Sequence, residues 1–449
     1  MFKITPPPEW GIEPVPKEHR ILGFPDYFVL WSSLGVGLLV LQAGTYLVPG
    51  LNLGQALVAI IIGTALGVLL LSLAGIVGSD NGVPTMVMLR PALGQRGSYL
   101  PTLLNLAQLL GWTAFELWVM ARAANHVSQQ LFHYSNYPLW LFIFTLWCVF
   151  LALGGPLVVV RQWLEKFGIW VVYLVTLFIT IYLFTHLDVS ALLHAGGEGG
   201  GNFWLTVDLV VAMPISWMPL VADYNRFARK SKPAFWGTYI GYFLANVWFY
   251  TLGAMLALVP GVDVTAPEGL AAAIMTMTGG ALALAIILVD ETDNAFADIY
   301  SAAVSTQNIL PKVGQRLLVI IIGVMSLALA TILSMDAYFD FLLLIGSVFV
   351  PLFGLLAADY FILRKRNYNL DELYAPRGAY WYRRGFNLWA LLAWVIGVIL
   401  YHAIAHYAPW LGASIPSFVA TLLLYSALGM TTRGPGRGTS HLEGYKEET

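Results

Sequence analysis

The sequence predicts an all-α polytopic membrane protein with about twelve transmembrane helices, on three observations. The chain is 58% hydrophobic and only 11% charged over 449 residues, too little charge to solvate an ordinary protein surface. Apolar runs of about 20 residues, the length that crosses a bilayer, recur from Pro25 to Met430. Basic residues cluster in alternate loops, a pattern that supports the span count independently of hydropathy. The net charge of −2 gives no reason to expect a nucleic-acid partner, and the single Cys148 excludes an intramolecular disulfide.

The expected spans run approximately over 25–49, 53–78, 99–131, 138–160, 165–185, 203–222, 235–259, 281–307, 316–334, 337–363, 386–406 and 411–430. Residues 1–24 are Pro-rich and charged and lack the apolar core of a cleaved signal peptide, so the first span serves as the insertion signal. Lys3, Lys17, Arg20, Arg90, Arg96, Arg161, Lys166, Arg226, Arg229, Lys230, Lys232, Lys312 and Arg316 all fall on one side of a twelve-span chain. The clusters at 364–366, 377 and 383–384 and the tail residues Arg433, Arg437 and Lys446 join them, while the opposite loops contain no Lys or Arg. The expectation is a cytoplasmic-membrane protein with both termini in the cytoplasm.

Two spans are interrupted at mid-depth. The first carries Gly35 and Gly37, and the sixth carries Pro214 and Pro219. Proline removes a helical hydrogen bond, and in hydrocarbon an opened backbone is tolerated only where it faces a cavity or ligand. Breaks opening spans 1 and 6 suit two five-span halves, 25–186 and 203–363, followed by 386–430 and a tail at 431–449. Gly63-x-x-x-Gly67 and Gly237-x-x-x-Gly241 are expected to serve close helix packing.

The eighth apolar stretch contains Asp290, Glu291, Asp293, Asn294 and Asp298 where the middle of a spanning helix belongs. A carboxylate at the centre of a lipid-facing helix costs about 3 kcal/mol, so these residues are expected to face a partner or a water-filled site. Asp290, Asn294, Asp298 and Ser301 share one helical face. In the third span Trp112 and Glu116 are four apart, placing a stacking surface beside a carboxylate that accepts ring N–H or amino groups.

The segments GLNLGQALVAIIIG, GVPTMVMLRPALGQRGSYLP, QLLGWTAFE, VADYNRFARKSKPA, TDNAFADIYSAAVSTQN and LLAADYFILRKRNY together resemble the nucleobase–cation symporter-1 family. The likeness covers nearly the whole chain and is nearest the cytosine-permease and hydroxymethylpyrimidine-transporter branch. It implies a five-plus-five inverted repeat of leucine-transporter type with two further C-terminal helices. It also implies a planar base held between aromatics of spans 3 and 6. Trp112 matches the first aromatic, Glu116 a polar partner one turn later, and Asn294 and Asp298 the edge-binding pair on span 8. By spacing from Asp223 the sixth-span aromatic falls on Pro214, with Trp217 the available substitute. Gln42 and Gln108 complete the expected substrate set. For sodium-coupled members the resemblance implies carbonyls near Ser33 and Val36 with Val289, Thr292 and Asp293. A carboxylate at Asp293 departs from the family's hydroxyl, which leaves Na+ or H+ as the coupling ion.

The function expected is import of cytosine or an aminopyrimidine such as hydroxymethylpyrimidine, with no cofactor and no covalent chemistry. The alternatives are another purine, hydantoin or vitamin-like heterocycle, or, in a different class, an intramembrane aspartyl protease built on the acids of span 8. A channel would not need a closed, stacked pocket. His402 and His406 are four apart but have no nearby carboxylate to complete a metal site. Arg122 is the one basic residue off the basic side; it either snorkels to the interface or, as favoured here, pairs with Asp290 or Glu291 to hold spans 3 and 8 together.

Overall fold

The computed structural model describes residues 10–155, 168–194, 197, 201–259 and 267–432. Lys3, Arg161, Lys166, Arg433, Arg437 and Lys446 lie outside the described residues. Within them the chain is helical, with only isolated β-bridges.

Among the described residues eight helices are long and apolar enough to cross a membrane, and the pair Phe24–Ser33 and Leu38–Thr45, bent by 59°, forms a ninth, broken span. Gly280–Ile309 is a continuous helix of 30 residues whose acids lower its hydropathy, and Gln315–Ala330 and Ser414–Thr432 are shorter apolar helices. Together these give the twelve spans. The polar stretch at 290–298 is therefore helix and not loop, and its acids are buried. Helix starts follow the sequence: Asn52, Asn136, Asn202 and Asn387 each accept a backbone N–H at the head of spans 2, 4, 6 and 11.

The repeat is visible in the packing. Span 1 lies on span 7 (Ser231–Ala257), and span 2 (Leu53–Asn81) lies on the first half of span 6 (Phe203–Ser216). Exchanging spans 1 with 6 and 2 with 7 turns one contact into the other. The same exchange relates the two small-residue motifs. A Cβ built at Gly63 would stand 2.9 Å from the Val207 carbonyl oxygen, and one at Gly237 would stand 2.8 Å from that of Phe24. Only glycine allows backbones this close. Spans 2 and 7 also pack on each other, as do spans 3 (Tyr99–Phe132) and 8.

The loops carrying the basic residues converge at one end of the bundle. Arg366 makes a bidentate pair with Asp80, Nε to Oδ2 at 3.0 Å and Nη2 to Oδ1 at 2.9 Å, and Tyr360 Oη and Ser231 Oγ donate to the same carboxylate. Arg90 donates to Asn308 Oδ1 at 2.8 Å and to the Leu373 carbonyl at 2.9 Å. Arg226, fully buried, donates to Tyr300 Oη at 2.8 Å and to the Gly11 carbonyl at 2.6 Å.

Candidate substrate and ion site

Both broken spans leave backbone groups without helical partners, and side chains of the neighbouring long helices take them up. At span 1 the chain leaves the helix after Ser33 and re-enters at Leu38. Span 8 answers with Asn294 Nδ2 donating to the Val36 carbonyl at 3.0 Å and Glu291 Oε2 accepting from Leu38 N at 2.6 Å. At span 6 the α-helix ends at Ser216, a 3-10 turn covers Met218–Leu220, and helix resumes at Val221–Asn225. Span 3 answers there, with Gln108 Nε2 donating to the Ser216 carbonyl at 3.0 Å and Asn105 Nδ2 to that of Pro219 at 3.3 Å. Spans 8 and 3 thus hold spans 1 and 6 in equivalent ways, as the repeat requires.

A small cavity lies between the two breaks. Leu34, Leu39 and Val40 line it from span 1, and Met213, Ser216 and Trp217 from span 6. Trp112 and Glu116 face it from span 3, and Glu291, Asn294 and Asp298 from span 8. Trp112 is held edge-on by Tyr338 and Phe341 of span 10, with ring centroids 5.8 and 5.4 Å away, and Trp217 meets Trp31 at 6.2 Å and 87°. Glu116 Oε2, Glu291 Oε1, Asn294 Oδ1 and Trp112 Nε1 are buried without a hydrogen-bond partner. A buried polar atom left unpaired costs about 1–3 kcal/mol, so these atoms make the cavity wall a surface suited to polar groups.

Five of the residues expected to meet the substrate, Trp112, Glu116, Trp217, Asn294 and Asp298, line this cavity. Gln42 and Gln108 do not. Gln42 turns its Nε2 to Thr45 Oγ1 at 3.1 Å, and Gln108 is spent behind the wall on the span 6 break and on Asn105 Oδ1. Pro214 is absent from the lining as well; its ring packs against Gly67 of span 2.

Of the residues of the expected ion site, Ser33 and Asp293 come together at the start of the span 1 break, joined there by Asp290. Ser33 Oγ stands 3.0 Å from Asp290 Oδ1 and 3.1 Å from Asp293 Oδ2, and its single proton serves one of them at a time. Asp290 Oδ2 and Asp293 Oδ1 are buried and unpartnered. Thr292 Oγ1 donates to the Val289 carbonyl at 2.6 Å, while the Val289 side chain is exposed, so only its backbone is turned to this region. The donor set is all oxygen, which suits a hard cation such as Na+ and equally a proton.

The expected ion pair of Arg122 needs correction. The Arg122 guanidinium lies over the rings of Tyr137, at 4.7 Å, and Trp118, at 5.3 Å, on an exposed part of span 3. Asp290 and Glu291 are instead bound to Ser33 and Leu38 of span 1. The physical reason is cost: an exposed guanidinium on two aromatic faces keeps its hydration, whereas joining the acids would bury it. Glu291, assigned to that pair from sequence, is a wall residue of the cavity. Spacing offered the clue, since Glu291, Asn294 and Asp298 follow at three and four residues.

Matched broken helices around a closed polar–aromatic cavity define a secondary transporter and not an enzyme. The chain matches, over residues 14–427, the family model described as permease for cytosine/purines, uracil, thiamine, allantoin, and it belongs to that family, the nucleobase–cation symporter-1 family. It is 25% identical over 434 residues to the hydantoin permease of Microbacterium maritypicum, covering 91% of this chain and 86% of that protein. It is also 25% identical over 386 residues to the cytosine permease of Escherichia coli (strain K12), covering 79% and 81%. Among solved structures it superposes on Mhp1, a nucleobase-cation-symport-1 family transporter in a closed conformation with bromovinylhydantoin bound. That match has a TM-score of 0.83 at 22% identity and covers 94% of each chain. The fold is accordingly the five-plus-five, leucine-transporter type with two further helices, and the aspartyl-protease alternative falls with it.

Proposed function

We propose that the protein is a symporter of the cytoplasmic membrane that imports a small planar aminopyrimidine, cytosine or a thiamine precursor such as hydroxymethylpyrimidine, together with Na+ or H+. Both termini lie in the cytoplasm, residues 25–186 and 203–363 form the two halves, and 386–430 are accessory. The base stacks on Trp112 with Trp217 as the sixth-span aromatic, and Glu116, Asn294 and Asp298 read its edge. The coupling ion sits among Ser33, Val36, Val289, Thr292 and Asp293, to which Asp290 is added.

One observation carries this reading. Of the unpartnered atoms on the cavity wall, Glu116 Oε2, Glu291 Oε1 and Asn294 Oδ1 offer oxygens to the N–H groups of a ligand, and Trp112 Nε1 offers a donor to a ring nitrogen. An amino-substituted ring supplies the matching donors, whereas an imide brings carbonyl oxygens that oppose them. The test is thermal stabilisation of the purified protein across cytosine, hydroxymethylpyrimidine, uracil, hydantoin and allantoin, with and without Na+. Stabilisation by the aminopyrimidines alone supports the assignment; stabilisation by hydantoin or allantoin alone overturns it.

A further inference from the structure

Three carboxyl groups, Glu116, Glu291 and Asp298, line the cavity, and among its described lining residues there is no Lys, Arg or His. They are 3%, 0% and 2% exposed. Buried charge persists only when it is paired, and no cationic side chain in the wall can pair these acids. Glu291 spends Oε2 on the Leu38 N–H and leaves Oε1 unpartnered, and Glu116 leaves Oε2 unpartnered. Asn294, a neutral polar residue of the wall, has turned its amide nitrogen to the Val36 carbonyl, so it too presents an acceptor, Oδ1. The acceptors come from two different elements, spans 3 and 8, and two indole rings share the same wall. Indole faces attract a desolvated cation, and carboxylates supply its counter-charge.

We infer that the cargo occupies this site as a cation: a planar amino-substituted heterocycle whose positive charge is delocalised over the ring, with its N–H groups directed at Glu116 and Glu291. This rests on the heterocycle-symporter reading and narrows it. The ion-site acids, Asp290 and Asp293, meet at Ser33 and are absent from the cavity lining, so the coupling ion and the cargo charge are neutralised by different residues. Glu291 sets the preference, because among the three carboxyl groups of the wall it is the one bound to the backbone of the broken span, at Leu38 N.

The test compares two rings of one shape: 4-aminopyridine, protonated at neutral pH, and 4-aminopyrimidine, neutral at the same pH, with uracil as the imide. Binding to wild-type protein is read by quenching of tryptophan fluorescence and by thermal shift. The cation is expected to bind about tenfold or more tighter than the neutral amine, the margin of a charge-assisted over a neutral hydrogen bond. Glu291→Gln, which keeps an oxygen for Leu38 N, is expected to erode the cation's affinity more than the neutral ring's; Glu116→Gln should do the same. If the neutral ring or uracil binds as tightly as the cation, the charge inference is overturned while the heterocycle reading stands. If the cation fails to bind while cytosine or hydroxymethylpyrimidine binds, the charge inference alone is overturned; if those bases fail to bind as well, both are overturned.

Discussion

The backbone N–H of Leu38 donates to Glu291 Oε2 at 2.6 Å, and the other oxygen of the same carboxyl group belongs to the cavity wall. Glycine precedes Leu38 for a geometric reason: a Cβ on Gly37 would stand 2.5 Å from Glu291 Oε2 and 3.1 Å from Asn294 Nδ2. One side chain of span 8 therefore holds the opened turn of span 1 and lines the cavity. A ligand that draws on Glu291 acts on the helix break directly, which is the physical content of coupling in this fold.

Glu291→Leu is expected to leave the Leu38 N–H buried without an acceptor and to lower stability by about 1–3 kcal/mol. Glu291→Gln should retain most of that stability. Thermal melting of the two purified variants against wild type measures the difference; equal melting of all three would show that the Leu38 bond contributes nothing.

Trp112→Ala is expected to weaken substrate binding by about 1–3 kcal/mol, the range for loss of one aromatic–base stack, while the protein still inserts and folds. Trp112→Phe should keep part of the affinity. Titration of the substrate into each variant, with circular dichroism to verify folding, provides the check, and an unchanged Kd in Trp112→Ala would remove the residue from the site.

Asp293→Asn and Thr292→Ala are expected to weaken the dependence of uptake on the coupling ion more than substrate affinity at saturating ion. The measurement is uptake against Na+ concentration and against pH in each variant. Wild-type dependence on both in the two variants would move the ion site elsewhere.

Much of this organisation was legible in the residues. The twelve spans, the breaks at Gly35–Gly37 and Pro214–Pro219, and the facing of Trp112 with Glu116 follow from composition, helix-breaking residues and spacing. The two G-x-x-x-G motifs were readable as packing, but their equivalence was not, because the repeat relates glycines that approach carbonyls of unrelated residues, Val207 and Phe24. Gln108 and Arg122 went wrong for one reason. A polar residue in an apolar helix must find a partner, but periodicity gives its face and not its partner. Gln108 found the carbonyl freed by the neighbouring span's break, and Arg122 found the rings of Trp118 and Tyr137.

Arg122→Ala is accordingly expected to cost less than the loss of a buried ion pair, its contacts with the Tyr137 and Trp118 rings contributing about 0.5–1 kcal/mol at an exposed site. Breaking a buried ion pair would instead cost about 3–5 kcal/mol. A chemical or thermal unfolding comparison separates these values, and a loss in the larger range would restore the pairing with Asp290 or Glu291.

The most direct test of symport through this site is uptake of radiolabelled cytosine and hydroxymethylpyrimidine into proteoliposomes of the purified protein, driven by an imposed Na+ gradient or an imposed H+ gradient. The account predicts accumulation above equilibrium with one of the two gradients, reduced at subsaturating base in Trp112→Ala and uncoupled from the gradient in Asp293→Asn. Failure to accumulate either base under both gradients, by protein that is folded and correctly reconstituted, would contradict it.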